Sequence, residues 1–219
     1  MADPRAHARA LAREAIARGD ATGWFERLYA ESQRDGFPIS WVDLVPNPYL
    51  VEWHAATQHH RSGRALVVGC GYGDDAEFLA ARGYDVTAFD VAPSAVSRCR
   101  DRFPTSPVRY EIADALHPPL EWERAFDLVF EAYTVQVLSG SVRPIAAASI
   151  GRTVAPGGLL LAVARSRRAS DPEGAMPWPL TRAELDAFAE SGLSLRSLRE
   201  VVEPGDPPVP RFVAEFVRS

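Results

Sequence analysis

The sequence predicts an α/β fold, in which a doubly wound, mostly parallel sheet of seven strands follows an N-terminal helical lid. From residue 64 onward, short apolar runs alternate with segments of helical periodicity, a pattern typical of a parallel sheet with helices on both faces. No strand signal precedes residue 64, whereas apolar residues recur at helical spacing over 4–34. We therefore expect a lid over residues 1–62 and a ligand-binding core over 63–219.

The boundaries of the elements come mainly from glycine and proline, which interrupt helices and strands. The first helical segment is broken at Gly19-Asp20, and a second helix is expected over 49–60. A capping box at Thr181–Glu184 begins the last helix, which we expect to end near Glu190. In the core, the predicted elements are strands 64–69, 84–90, 108–112, 126–130, 159–164, 193–203 and 210–217, helices from 76, 93, 142 and 181, a turn at 156–158 and a loop over 165–180.

A glycine-rich turn, Gly69-Cys70-Gly71-Tyr72-Gly73, connects the first apolar strand to a helix. Glycines allow a tight turn and let a ligand approach the bare backbone. The second strand ends at Asp90, whose carboxylate can accept hydrogen bonds from both hydroxyls of a ribose. Such a unit suits either a dinucleotide or S-adenosylmethionine.

Charge at the start of the following helix favours the second ligand. A dinucleotide places its pyrophosphate at a helix N-terminus, where Asp74 and Asp75 would repel it. S-adenosylmethionine has a net positive charge and tolerates these carboxylates. Both aspartates also suit the helix dipole, which alone stabilises a helix by ~0.3–1 kcal/mol per residue. The dinucleotide therefore stays open as an alternative.

Composition narrows the possible partners. The 24 basic residues are all arginine, and the net charge of -5 leaves no broad electrostatic footprint for nucleic acid. No apolar run approaches the ~20 residues that a membrane span needs, and no signal-peptide core is visible. Cys70 and Cys99 offer no disulfide framework. We expect a cytoplasmic monomer or weak homodimer with no nucleic-acid, membrane or metal partner.

The layout resembles that of the class I S-adenosylmethionine-dependent methyltransferases, which have a Rossmann-like fold. The resemblance covers residues 63–165 best and rests on the glycine turn, Asp90, Ala113-Asp114, Phe126-Asp127 and the turn at 154–161. It implies that Asp90 binds the ribose and that Ala113 and Asp114 bracket the adenine. The cofactor-binding residues that it implies are Trp24, Trp41, Gly69, Gly71, Gly73, Asp90, Val91, Ala113, Asp114, Glu131 and Tyr133.

A narrower similarity, to the thiopurine and halide/thiol methyltransferases, lies in the N-terminal part. Its motifs are the segments 23–29, 41–43 and 46–48 together with the start of the first strand. By this resemblance Trp24 and Trp41 would contact the donor, and Tyr133 would be the aromatic residue after strand four. The sequence departs from the family at Leu28, where a second tryptophan is frequent, and at Ser40, where a proline is frequent.

Few residues suggest acid–base chemistry. A thiol acceptor with a pKa of ~8.5 is already a few per cent ionised at pH 7 and needs a base least. His54, His59 and His60 precede the first strand, where a solvated helix end is the simplest interpretation, and His117 precedes two prolines in a loop.

The candidate catalytic residues are therefore Asp43, Tyr133 and Arg165. Asp43 is an acid beside the lid tryptophan, although a capping or turn role fits equally well. Arg165, at the end of strand five, could bind an anionic substrate or lower a thiol pKa, or belong to a solvated cluster. Glu131, at the end of strand four, could accept from the donor ammonium or make a structural hydrogen bond.

The sequence thus predicts a methyltransferase that uses S-adenosylmethionine on a small-molecule acceptor, with S-methylation of an apolar or heteroaromatic thiol as the expected reaction. O- or N-methylation of an aromatic metabolite, such as a hydroxyquinolone, quinol or phenol, is the alternative. From other classes, an NAD(P)-dependent oxidoreductase and a catalytically silent donor-binding module stay open.

Overall fold

A computed structural model describes residues 3–57, 62–205 and 207–219. Its helices are α1 (Pro4–Ala17), α2 (Gly23–Asp35), α3 (Pro48–Ala56), α4 (Asp74–Ala80), α5 (Pro93–Arg102), α6 (Arg143–Arg152) and α7 (Arg182–Asp186). Its strands are β1 (Arg64–Val68), β2 (Asp85–Asp90), β3 (Arg109–Ile112), β4 (Phe126–Ala132), β5 (Val154–Arg165), β6 (Leu193–Glu203) and β7 (Val209–Arg218).

Within these ranges the sheet has seven strands in the order β3-β2-β1-β4-β5-β7-β6. The first five strands of the chain pair in parallel, whereas β7 runs antiparallel to both β5 and β6. The predicted doubly wound, mostly parallel fold is confirmed. Strand order reverses beside β1, so the carboxyl ends of β1, β2 and β4 meet at the edge where such sheets bind ligands.

The two faces of the sheet are covered by different helices. On one face α3, α4 and α5 pack against residues such as Val67 and Leu128, and on the other face α6 and α7 pack against Leu66 and Val129. Because β1 is covered on both sides, its residues 65–68 are all buried. A strand buried on both faces reads as a continuous apolar run, which is why this strand was visible in the sequence.

Helices α1 and α2 form a third cluster that packs on the start of α5. Ala92 and Ala95 are fully buried there. The carboxylate of Glu26 on α2 accepts from the backbone N and the hydroxyl of Ser94, at 2.9 and 2.7 Å. These contacts hold the N-terminal helices over the end of the sheet that carries the glycine turn.

Several predicted boundaries need correction. Strand β5 begins at Val154, so the predicted turn at 156–158 is a bulge inside the strand, with Gly157 at a φ of +73°. Pairing with β4 continues on either side of the bulge, with a shift of register. The last helix becomes a 3-10 helix over Ala187–Ser191, although its predicted capping box is present.

Helix α3 ends at Ala56 with Thr57 as its C-cap, and residues 58–60 of the predicted helix, with His59 and His60, lie outside the described residues. Among the helices in the described ranges, none has both the length and the apolar character that a membrane crossing requires.

Candidate functional site

A cavity of about 690 Å³ lies at the carboxyl ends of the parallel strands, beneath α2 and the loop that joins it to α3. This volume is in the range of small-molecule and cofactor sites. Its wall is formed by the glycine turn after β1, the ends of β2, β3 and β4, and the start of β7.

Two of the three predicted glycines of the turn line the cavity. Gly69 and Gly71 have φ angles of +60° and +54°. A Cβ at Gly69 would lie 2.3 Å from the Thr134 hydroxyl oxygen, so only glycine fits between the turn and the end of β4. Gly73 is not part of the wall. A Cβ there would lie 2.7 Å from the Tyr110 hydroxyl, so this glycine serves packing rather than ligand approach, which corrects the prediction.

Asp90 lies at the end of β2 beside the turn. Its Oδ2 accepts from Gly71 N and its Oδ1 from Ala92 N, each at 3.0 Å. The side chain is buried, which raises the pKa of Asp90 to about 6. Each carboxylate oxygen has two acceptor positions, so Asp90 retains capacity for a ligand hydroxyl on the cavity side. Val91, which follows it, also lines the cavity as predicted.

Ala113 and Asp114, after β3, line the cavity beside the apolar Phe89 and Ala115. Asp114 Oδ1 accepts from Leu116 N at 2.8 Å, which fixes the turn. An apolar slot with a carboxylate at its edge suits a flat heterocycle with an amino group. The structure therefore brings both predicted adenine-side residues to the wall.

Glu131, by contrast, does not line the cavity. It is 1% exposed, and its Oε1 accepts from Thr134 N and Val135 N at 2.7 and 3.0 Å. Burial raises the pKa of Glu131 to about 7. The carboxylate holds the turn after β4, so the structural alternative replaces the predicted donor contact.

Helix α2 turns a different face to the cavity than predicted. Trp24 is 2% exposed and shares the core-facing side with Leu28, four residues later. Phe25 and Tyr29, also four residues apart, line the cavity instead. Trp24 stacks behind Phe25 with ring centroids 3.8 Å apart, so it supports the wall without forming it.

Tyr29 is therefore a site residue that the sequence interpretation missed, although it ends the quoted segment 23–29. Its hydroxyl accepts from Trp41 Nε1 at 3.2 Å and lies 3.4 Å from where a Cβ of Gly71 would be. Burial and the neighbouring Asp90 carboxylate raise the pKa of Tyr29 well above its usual value. Trp41 lines the cavity as predicted.

The two aspartates at the start of α4 are not equivalent. Asp74 makes a two-pronged ion pair with Arg102, with both N–O distances at 2.8 Å. Asp75 Oδ1 accepts from Asn47 N at 2.6 Å, and burial raises the pKa of Asp75 to about 6. Repulsion of a bound pyrophosphate would therefore come mainly from Asp75, because the Asp74 charge is already paired.

The opposite end of the cavity combines Tyr133 with two arginines. Tyr133 has a φ of +64°, a conformation that costs energy for a non-glycine residue and that clusters at functional sites. Arg165, at the end of β5, donates its backbone N to Gln136 Oε1 at 2.7 Å. The guanidinium of Arg211 lies 4.9 Å from the centre of the Tyr133 ring. Gln136 and Arg211 were not singled out in the sequence, because no local pattern marks them.

The remaining candidates for acid–base chemistry are sparse. Asp43 is exposed at the cavity rim, while Asn47 caps α3. His54 packs edge-on against Phe78 and Tyr84, away from the cavity. No histidine within residues 3–57, 62–205 and 207–219 lines the cavity.

Comparisons with known proteins agree with this arrangement. A family model described as a methyltransferase domain matches residues 65–158. The probable thiol methyltransferase 2 of Arabidopsis thaliana is 30% identical over 145 residues, which are 63% of this chain and 64% of that protein. The match thus spans less than two thirds of the relative's length.

Solved structures share the fold. One solved structure is 25% identical to this chain, with a TM-score of 0.74 over 90% of this chain and 91% of that one. Its description concerns the conversion of a disulfide bond into a thioacetal group during echinomycin biosynthesis. The 1,6-didemethyltoxoflavin N1-methyltransferase of Burkholderia thailandensis, solved with S-adenosylhomocysteine, is 18% identical, with a TM-score of 0.68 over 100% and 92%. The chain thus contains a segment that matches a methyltransferase domain, is similar to a probable thiol methyltransferase, and shares its fold with a methyltransferase solved with S-adenosylhomocysteine.

Proposed function

We propose that this protein transfers a methyl group from S-adenosylmethionine to the sulfur of a small apolar or heteroaromatic thiol. The observation that carries the proposal is that a single cavity is lined both by the glycine turn with Asp90 and by Tyr133 with Arg165. One end thus has the features of a donor site, and the other offers space beside it for an acceptor.

The residues at the donor end fit S-adenosylmethionine. Asp90 would hold the ribose hydroxyls, Ala113 and Asp114 would flank the adenine, and Gly69 and Gly71 would let the amino-acid part approach the backbone. Nearby carboxylates suit a ligand with an ammonium and a sulfonium. When bound, this cofactor supplies an electrophilic methyl group.

Aromatic side chains of the cavity wall contribute in two ways. Phe25, Tyr29, Trp41 and Tyr133 all line the cavity. The face of such a ring attracts a nearby cation by ~0.5–2 kcal/mol. Together with the loop over 40–48 they also shield the cavity from water, which keeps a thiolate poorly solvated and reactive.

A thiol is the acceptor best matched to these residues. The cavity wall has apolar members such as Val137, Leu138 and Met176, and no histidine of the described ranges. A thiol ionises without a strong base, whereas a phenol with a pKa near ~10 needs more help. The curated relative is itself named a thiol methyltransferase, and the 25% identical structure concerns disulfide chemistry.

A screen with isotopically labelled donor tests the proposal. Thiols, phenols and hydroxyquinolones are incubated with the protein, and labelled products are detected by mass spectrometry. We expect labelled thioethers, and S-adenosylmethionine should raise the melting temperature where NAD does not. Turnover of phenols with none of thiols would show that the methyl group goes to oxygen and not to sulfur. Stabilisation by NAD alone would exclude a methyltransferase.

The proposal extends to organisation and location. Residues 1–62 would act as a lid on a core of residues 63–219, and the protein would work in the cytoplasm as a monomer or weak homodimer. The contacts of Glu26 with Ser94 support a lid that is docked on the core. Cys70 and Cys99 are both free thiols, as a reducing compartment would keep them. Sedimentation at several protein concentrations tests the oligomeric state.

A further inference from the structure

Two arginines face each other directly at the acceptor end of the cavity. Arg165 on β5 and Arg211 on β7 are paired in the antiparallel register, and both line the cavity. Side chains in such positions have Cβ atoms about 5 Å apart, and like charges directly opposite destabilise a sheet. A pair of this kind needs an anion between or beside the two guanidinium groups.

The protein supplies only part of that negative charge. Glu203 on β6 forms an ion pair with Arg211 and accepts from the Tyr49 hydroxyl at 2.8 Å. Arg165 has no ion pair within the described part of the chain, from which Asp206 is missing.

Within the part of the chain that the structure describes, the environment of the two guanidinium groups is also short of negative charge and of hydrogen-bond acceptors. Arg211 Nε is buried without a hydrogen-bond partner among the described residues. Burial and the nearby positive charges of Arg211 and Arg5 lower the pKa of Arg165. About one positive charge of the facing pair is therefore left without compensation, and one donor points to no protein acceptor.

Negative and positive side chains lie at different ends of the cavity. The carboxylates of Asp90 and Asp114 lie at the end assigned to the cationic donor. The arginines lie at the other end, which leaves a positive site for the acceptor. A planar guanidinium matches the two oxygens of a carboxylate through parallel hydrogen bonds.

We propose that Arg165 and Arg211 bind a carboxylate of the methyl acceptor, so that the acceptor is a small thiol that also carries a carboxylic acid. A monoanion fits the single uncompensated charge. The inference rests on the proposed function, because it specifies the acceptor of the same reaction. Glu203 keeps Arg211 in place, and the carboxylate would neutralise the charge of the facing pair that Glu203 leaves uncompensated.

The test compares acids with their own esters. The substrates are 3-mercaptopropionate and 4-mercaptobenzoate, each with its methyl ester, and the readout is the acid-to-ester ratio of kcat/KM. We expect the wild type to prefer at least one acid, and Arg165→Gln to lower that ratio about 10- to 100-fold, since hydrogen bonds between charged groups are the strong ones. Arg165→Lys should keep part of the preference, because it keeps the charge and loses the fork.

The control is Arg168→Gln, an exposed arginine of the same segment that does not line the cavity. Its ratio should stay within about threefold of the wild type. An ester preferred by the wild type in both pairs, or an unchanged ratio in Arg165→Gln, would overturn the proposal. So would an upward shift of the pH profile for ester turnover in Arg165→Gln, because the arginine would then act on the thiolate sulfur.

Binding without turnover separates this inference from the proposed function. Calorimetry measures 3-(methylthio)propionate and its methyl ester against wild type and Arg165→Gln, with S-adenosylhomocysteine present. Binding of the acid that depends on Arg165 supports the carboxylate site even if no thiol is methylated, in which case the proposed reaction fails. Methylation of esters with no preference for acids leaves the reaction standing and refutes the carboxylate site.

Discussion

Replacing Glu131 with glutamine should change how the stability of the fold depends on pH and should leave donor binding intact. The carboxylate is fully buried, and a single oxygen accepts from the backbone N of Thr134 and of Val135. Glutamine keeps an oxygen acceptor at the same position and removes the ionisable group. The substitution therefore isolates the consequence of burying a charge in the turn after β4.

The magnitude follows from the pKa of Glu131, which burial raises from its usual 4.5 to about 7. A raised pKa means that the folded state holds the proton more tightly than the unfolded chain. The contribution of this group to stability is thus fully present below pH 4.5 and is lost as the pH rises through 7. A difference of about 2.5 pKa units corresponds to a loss of about 3 kcal/mol by pH 8.

Urea unfolding of wild type and Glu131→Gln at about pH 4.5 and about pH 8 measures this pH-dependent loss of stability. The stability of the variant relative to wild type should increase by about 3 kcal/mol between the two conditions. Asp75 and Asp90 also have raised pKa values, but they occur in both proteins and cancel in the difference. Glu111→Gln, an exposed change on β3, should shift stability by less than about 0.5 kcal/mol.

Two results would refute this reasoning. The first is a stability difference that is the same at both pH values, because Glu131 would then ionise normally in the folded protein. The second is a loss of more than about tenfold in affinity for S-adenosylhomocysteine in the folded variant, measured by calorimetry. That loss would restore Glu131 as a ligand of the donor ammonium.

Three further predictions concern the site. Asp90→Ala should weaken binding of S-adenosylhomocysteine by ~2–4 kcal/mol in calorimetry, because hydrogen bonds to a charged group contribute ~1.5–3 kcal/mol each, and unchanged affinity in a folded variant would contradict its role. Gly73→Ala should lower the free energy of unfolding by ~1–3 kcal/mol, since its Cβ would clash with Tyr110 at a positive φ, yet retain donor affinity. His54→Ala should reduce kcat for thiol methylation less than tenfold, whereas loss of a general base costs ~10²–10⁴.

The fold and the donor end of the cavity could be predicted from the sequence because their signals are local. The run at residues 65–68 is apolar without interruption since β1 is buried on both faces. Gly69 and Gly71 adopt positive φ angles that their own identity permits. Asp90 ends a strand beside that turn, so a spacing of about 20 residues was enough to place it.

The remaining assignments depend on contacts between distant parts of the chain. Helical periodicity shows that Trp24 and Leu28 share one side of α2, but it cannot say which side of the helix faces the cavity. Docking of α2 on α5 decides that Phe25 and Tyr29 do. Likewise, Arg102 neutralises Asp74 from 28 residues away.

The sequence by itself thus determined the chain path of the sheet and the presence of the glycine turn and Asp90 at the cavity, because short-range backbone geometry specifies both. Only the tertiary structure set Arg165 opposite Arg211, 46 positions later in the chain. That pairing results from the register of two antiparallel strands, which is unbroken from Leu159 opposite Val217 to Arg165 opposite Arg211. Register is a property of neighbours in space, so no local pattern in either strand predicts which charges meet.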